Sequence, residues 1–240
     1  MRTHLSLLDE GILTDFQNLK PPLASDPLWA FNEFSSADFN DRRLTARLQL
    51  LARQFVQQPV ASIPQACGNW ANSKAAYRFC SNDKVSFQAI LAPHARRTIE
   101  RLNGSVILCP QDTTTLNYIA HPATQGLGHV GTKPGKSLGM LLHSTLAVSP
   151  EGQMFGVLHA HCWSRPKRKK WGRARSRHHQ PIREKETFRW LEGFRQVDQW
   201  AQRYPHQQWV SVNDREGDIY EVIQAATAPD HHAGLLVRAR

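Results

Sequence analysis

Features that would place this chain in a membrane or hold it together covalently are scarce in its sequence. Only four cysteines occur in 240 residues, and no two of them form a Cys-x-x-Cys pair. This spacing argues against a structural zinc site, and so few cysteines argue against a disulfide framework. No apolar run approaches the roughly eighteen residues that span a bilayer, and no signal peptide is evident. We therefore expect a cytoplasmic protein with no membrane partner.

Positive charge, in contrast, is abundant. The chain has 30 Lys and Arg residues against 20 Asp and Glu residues, for a formal net charge of +10. An excess of this size favours a polyanionic partner, because neutralised phosphates release their condensed counterions. Charge alone does not separate nucleic acid from an anionic membrane surface. The densest basic run, residues 165–177, is typical of a solvated loop, and it could also contact a DNA backbone without reading its sequence.

The first third of the chain has the pattern of a small helical domain. Residues 1–27 contain three prolines and predict a loosely structured leader. An amphipathic helix is predicted from Asp41. Its apolar positions are Leu44, Leu48, Leu51 and Phe55. Two further short helices are predicted, from Ser62 and around residues 73–79. Three short helices rich in arginine and lysine, within residues 28–84, indicate a helix-turn-helix-like DNA-binding unit, although any small helical subdomain would also fit this spacing.

From residue 85 onward the pattern becomes mixed, with short apolar strands between helical stretches. The order of elements predicts an α/β fold over residues 85–240. The predicted elements are a helix capped by Ser86, a strand at 106–109, a hairpin at 138–148 and 154–163, a helix at 184–204, a strand at 209–212, a helical face at 219–226 and a strand at 235–237.

Two aspartates each follow a predicted strand, Asp112 after the first and Asp214 about a hundred residues later. Adjacent strands could bring these carboxylates together, and a divalent cation would relieve their repulsion. Hard oxygen ligands select magnesium or manganese, and a pair of such metals promotes phosphodiester cleavage. Local roles fit the same residues. Asp112 could cap a turn with Thr113 and Thr114, and Asp214 and Asp218 could cap a helix.

Five short motifs occur in order along the chain: DRRLTARL at 41–48, NSKAAYRF at 72–79, DTTTL at 112–116, EKET at 184–187 followed by Trp190, and DREGDIY at 214–220. In this order and spacing they resemble motifs of the IS-four family of insertion-sequence transposases. The resemblance spans residues 28–238. It implies cut-and-paste DNA transposition, with double-stranded DNA as partner, in a bacterial, nucleoid-associated protein.

The resemblance also implies a fold and a set of site residues. The expected fold is a small all-helical N-terminal DNA-binding domain followed by a ribonuclease-H-like mixed-sheet core. Asp112 and Asp214 match two catalytic acids that bind two Mg²⁺ (or Mn²⁺) ions, and Arg215 would lie beside that metal site and could contact DNA. The residues expected to face the transposon end are Arg42, Arg43, Arg47, Lys74, Tyr77 and Arg78.

One part of the family pattern is not matched. The third catalytic acid of the family is a glutamate in a Y-x-x-R-x-x-x-E-x-x-x-x-x-x-K helix, and no glutamate of this sequence has that context. We therefore expect a copy truncated before the third acid and before the family's homodimerisation region, with little or no DNA cleavage by itself. One alternative is an inactive DNA-binding fragment that competes at transposon ends. A host nuclease with a ribonuclease-H-like core would explain Asp112 and Asp214, but it leaves the N-terminal helices without a role.

Overall fold

The computed structural model describes residues 26, 28–121, 123–131, 137–165 and 180–239. The predicted leader, apart from Asp26, lies outside the described residues, and so does the predicted basic loop beyond Arg165, together with His178 and His179. The chain divides into two compact units, one up to Pro93 and the other from His94 onward. Within the described parts, no helix is long and apolar enough to cross a membrane.

The described secondary structure of the N-terminal unit is entirely helical. Its helices are α1 (Trp29–Glu33), α2 (Arg42–Gln57), α3 (Ile63–Cys67), α4 (Trp70–Cys80) and the first part of α5 (Phe87–Arg101). Three predicted helices are thereby confirmed, although α4 begins at Trp70, before the predicted segment at 73–79. Buried side chains from four segments form one core: Phe34, Phe39, Leu48, Leu51, Cys67, Ala76 and Phe79. Burial of this apolar surface holds the helices together, because most of the stability of a helix in a protein comes from packing its apolar face.

The C-terminal unit is a mixed sheet with helices. Its elements after α5 are β1 (Val106–Asn117), β2 (Gly128–His129), β3 (Leu138–Val148), β4 (Met154–Trp163), α6 (Phe188–Arg203), β5 (Gln208–Asn213), α7 (Tyr220–Ala226) and β6 (Gly234–Val237). The strand order is β2-β3-β1-β5-β6, with β4 also paired to β3. β3 pairs antiparallel with β1, β2 and β4, whereas β1–β5 and β5–β6 are parallel. The α/β character and the β3–β4 hairpin are as predicted.

Helix α6 supplies the main apolar contacts of this sheet. Trp190, Phe194 and Val197 lie on one face of the helix and pack with Ile107 of β1 and Trp209 of β5. The helix begins at Phe188, and a separate short 3-10 turn covers Ile182–Glu184. The predicted helix at 184–204 was therefore too long at its N-terminal end.

Strand β1 is longer than its apolar residues predict. The prediction placed Asp112 after the end of a strand at 106–109, but β1 continues to Asn117 and Asp112 pairs with Ser144 of β3. Polar residues extend the strand because β3 supplies backbone hydrogen-bond partners along its whole length. The pairing of β1 with β5, in contrast, ends at Pro110 and Val212. Asp112 therefore lies inside a strand but just beyond the end of its parallel neighbour.

Candidate functional site

Helices α3 and α4 form a tight helix-turn-helix. Ser62 and Gln65 form a capping box at the start of α3, and Gly68 ends that helix in the left-handed conformation, with φ 72°. The side chain of Asn69 then accepts a hydrogen bond from the backbone N–H of Asn72 at 2.9 Å and caps α4. A left-handed residue at this point favours glycine, which has no Cβ to clash with the backbone. Only Gly68 and Asn69 separate the two helices, so the direction of α4 is set by the turn.

The outer face of α4 carries aromatic and basic side chains together. Trp70 is 77% exposed, and Tyr77, two helical turns later on the same face, is also exposed. Lys74 lies between them on the same face, and Arg78 adjoins it, both exposed. The opposite face, with Ser73, Ala76 and Phe79, is buried.

Trp70 was missed by the sequence analysis, which recognised only Lys74, Tyr77 and Arg78 on this helix. The available signal was its spacing, since Trp70, Lys74 and Tyr77 follow at i, i+4 and i+7. An exposed tryptophan on the second helix of a helix-turn-helix is placed to contact a partner, because large apolar side chains concentrate binding energy.

The three arginines predicted on α2 have different surroundings. Arg42 and Arg43 are exposed, whereas Arg47 is half-buried and its Nη1 is buried without a hydrogen-bond partner among the described residues. The guanidinium of Arg43 bonds both carboxylate oxygens of Asp41, at 3.1 and 2.9 Å. This side-chain hydrogen bond is the main reason that the pKa of Asp41 falls to about 2. Arg43 thus supports the N-cap of α2, and a phosphate would compete with Asp41 for it.

The two predicted acidic residues follow the parallel pairing of β1 with β5 in the C-terminal unit. β1 and β5 pair in parallel with one constant register, from Val106 opposite Gln208 to Pro110 opposite Val212. Asp112 and Asp214 each lie two residues beyond this last pair, Asp112 within β1 and Asp214 directly after the end of β5. Both aspartates are exposed.

Residue alternation directs the carboxylate of Asp112 away from the buried face of the sheet. Gln111 and Asn213, the residues preceding the two aspartates, are both buried, whereas Asp112 and Asp214 are exposed. Because successive side chains of a strand point to opposite faces, Asp112 points away from the face on which Gln111 is buried, and Asp214, directly after β5, is exposed.

Asp214 also has the local role that its sequence position allows. Its Oδ1 accepts a hydrogen bond from the backbone N–H of Glu216 at 2.8 Å and caps the 3-10 turn Arg215–Gly217. Arg215 lies in this turn and is exposed. Capping uses one carboxylate oxygen, so it is compatible with metal binding through the other.

The pair of carboxylates suits a hard divalent cation. Magnesium is typically bound through one or two carboxylates together with substrate phosphates and water, which Asp112 and Asp214 with a bound DNA phosphate would supply. Among the described residues, no group of three or more His, Cys, Asp or Glu side chains could hold a metal ion. His159 and His161 alternate on β4, opposite Thr145 and His143 of β3.

The N-terminal helices also match a known family. Residues 26–85, which include all of α1–α4, match the family model of the transposase DNA-binding domain, and this match supports a transposase and a DNA-binding role for the protein.

Proposed function

We propose that this protein acts in cut-and-paste DNA transposition, as a member of the IS-four family similar to the Tn-five transposase. The N-terminal unit would bind the transposon end, and the C-terminal unit would contribute Asp112 and Asp214 of a ribonuclease-H-like catalytic core. The observation that carries the proposal is the match of residues 26–85 to the transposase DNA-binding domain. A homodimer on double-stranded DNA is the assembly that the family resemblance implies.

End recognition is assigned to helix α4. In a helix-turn-helix the second helix enters the major groove, and residues near its N-terminus contact base edges. Trp70 is the first residue of α4 and offers an apolar surface for thymine methyl groups. Lys74 and Arg78 beside it would contact phosphates, which position the helix without reading sequence.

Phosphodiester cleavage is assigned to Asp112 and Asp214. Their exposed carboxylates would hold Mg²⁺ or Mn²⁺ at the end of the parallel strand pair, where a DNA phosphate can approach. Two bound ions supply activation of the attacking and leaving oxygens in phosphodiester cleavage and strand transfer. Arg215, exposed next to Asp214, would neutralise charge on the nearby DNA strand.

Binding at transposon ends without cleavage is the second candidate. It is favoured by the lack of a third metal-ligating side chain beside the two aspartates within the described residues. Such a protein would occupy ends and compete with an active transposase.

Selection followed by a cleavage assay separates these functions. The full chain would first be used to enrich duplexes from a random-sequence library, and supercoiled plasmid carrying the enriched sequence would then be incubated with Mg²⁺ or Mn²⁺. Nicking by the chain that is lost in both Asp112→Asn and Asp214→Asn supports the catalytic proposal. Enrichment without nicking supports the second candidate. If no sequence is enriched, end recognition by this chain is refuted.

A further inference from the structure

A single arginine of helix α6 bonds both segments that carry the aspartates. Nε of Arg189 donates to Oγ1 of Thr113 at 2.8 Å, and Thr113 directly follows Asp112. Its Nη2 donates to the carboxylate of Glu216, two residues after Asp214. The third nitrogen, Nη1, donates to the backbone carbonyl of Glu186 at 2.7 Å. The Arg189 side chain is only 10% exposed, whereas its partner Glu216 is 60% exposed, so the bond to Thr113 is the better shielded from water.

The guanidinium of Arg189 is also held by two aromatic rings. Its Cζ lies 5.6 Å from the ring centre of Trp163 and 5.8 Å from that of Trp190. Both distances are within the range of cation–π attraction. A planar group between these contacts has one orientation, and lysine, with a single flexible ammonium, cannot reproduce the three directed bonds.

From Thr113 a chain of side-chain hydrogen bonds continues across the sheet. Oγ1 of Thr113 lies 2.8 Å from Nδ1 of His143, and Nε2 of His143 lies 3.1 Å from Oε1 of Gln111. The amide of Gln111 then donates to Oγ of Ser211 at 2.8 Å, and Ser211 donates to Oδ1 of Asn213 at 3.1 Å. The chain thus links β3, β1 and β5 and ends at the residue before Asp214.

In this series of hydrogen bonds, each donor faces an acceptor from one end to the other. The amide oxygen of Gln111 can only accept, so Nε2 of His143 carries the hydrogen and Nδ1 accepts from the hydroxyl of Thr113. The hydroxyl oxygen of Thr113 accepts in turn from Arg189. His143 is almost completely buried, and this burial is the main reason that its pKa is lowered to about 3, so the imidazole is neutral.

We propose that Arg189 is a positioning residue that, with the buried chain beneath it, fixes the spacing and direction of Asp112 and Asp214. This inference rests on the proposed metal site at the two aspartates. Gln111 and Thr113, on either side of Asp112, are both held by the chain, so the alternation of the strand directs the carboxylate between them outward. On the other strand, Asn213 and Glu216 are held on either side of Asp214. Both carboxylates would therefore already be held in place before a cation binds.

The test is a titration of Mn²⁺ alone into the ¹⁵N-labelled full chain. Paramagnetic broadening of amide signals in β1 and β5 gives the dissociation constant. Asp112→Asn is expected to abolish this local broadening. Arg189→Lys is expected to weaken Mn²⁺ binding about tenfold to a hundredfold, as loss of a residue that orients metal ligands typically does. The matched control is Arg203→Lys, on the same helix, where the guanidinium stacks 5.4 Å from the ring of Trp200; its affinity should equal that of the wild type.

The outcomes separate the two proposals. Broadening that persists in Asp112→Asn refutes the metal site and the positioning role with it. Loss in Asp112→Asn, combined with wild-type affinity in Arg189→Lys, leaves the metal site standing and overturns the role of Arg189. If Arg189→Lys does not fold, Thr113→Val removes the hydroxyl that Arg189 bonds, and unchanged Mn²⁺ affinity in that variant likewise overturns the proposal. The ring-nitrogen signals of His143 provide a separate check, since a hydrogen on Nδ1 would contradict the hydrogen bond that Nδ1 accepts from Thr113.

Discussion

Gly193 of helix α6 leaves the space that the side-chain amide of Gln111 occupies. A Cβ built on Gly193 would lie 2.0 Å from Oε1 of Gln111, far inside any contact distance. Glycine inside a helix costs about 1 kcal/mol relative to alanine. Here the absence of a side chain lets a strand residue with a buried amide pack directly against the helix and keep its hydrogen bonds to His143 and Ser211.

Gly193→Ala should therefore destabilise the C-terminal unit, although the same change normally stabilises a helix. The added methyl group would displace the amide of Gln111 and leave buried polar groups unpaired, at a cost of roughly 1–3 kcal/mol. Urea unfolding measures the change. In a Gln111→Ala background the clash is absent, so there the added cost of Gly193→Ala should disappear. Equal costs in the two backgrounds would show that Gln111 is not the obstacle.

His143 should make the stability of the C-terminal unit depend on pH. Its pKa is lowered to about 3 in the folded protein, against about 6.5 in an unfolded chain. Between these values the unfolded state binds a proton that the native state does not, so stability is complete above pH 6.5 and falls by about 1.4 kcal/mol per pH unit as the pH decreases towards 3.

The variant His143→Gln isolates this effect, because an amide keeps a donor and an acceptor but does not titrate. The stability advantage of the wild type over the variant should shrink by about 2 kcal/mol between pH 7 and pH 5. Urea unfolding at both pH values gives the two differences. A difference that is the same at pH 7 and pH 5 would mean that His143 is not buried in its neutral form.

Trp70→Ala should weaken DNA binding without weakening the fold. An aromatic anchor at an interface typically contributes more than 1 kcal/mol, so we expect a loss of about tenfold in affinity for the enriched duplex. Stability should change by less than about 0.5 kcal/mol, because the side chain is largely exposed. Fluorescence anisotropy with labelled duplex provides the affinity. Val60→Ala is the control, since Val60 is 97% exposed but lies outside α4. Equal affinities for the two variants would remove Trp70 from the interface.

Lys74→Gln should change the salt dependence of binding and not its sequence preference. Each phosphate contact contributes about one unit to the slope of log affinity against log salt concentration, so the variant should lose roughly one unit. Anisotropy titrations at several NaCl concentrations, on enriched and scrambled duplexes, measure this slope. Lys74→Arg keeps the charge and should retain the wild-type slope. A wild-type slope in Lys74→Gln would place Lys74 away from the phosphates.

Several elements could be predicted because the residues that specify them are near neighbours. Ser62 with Gln65 caps α3, and the apolar segments around Pro150 form the β3–β4 hairpin. Helix α2 followed from its predicted apolar stripe, of which Leu48 and Leu51 are buried in the core whereas Phe55 stays exposed. In each case a local pattern and a local capping or turn residue act together, so periodicity was sufficient.

The extension of β1 and the start of α6 could not be read in this way. Asp112, Thr113 and their neighbours are polar, and they form a strand because β3 pairs with them over a distance of many residues. The exposure of Trp70 likewise depends on which face of α4 packs against Leu48 and Leu51. Hydrophobic periodicity contains no information about which backbone a polar segment pairs with.

The sequence by itself determined the alternation of helices and strands, the basic character of the chain and the position of Asp214 directly after a strand. The tertiary structure alone decided that β1 extends past Asp112, that the parallel pairing of β1 with β5 ends two residues before each aspartate, and that Arg189 bonds both segments that carry them. The physical reason is that strand register and buried hydrogen bonds join residues that lie up to about a hundred positions apart in the chain. Which residues become partners depends on how α6 packs on the sheet.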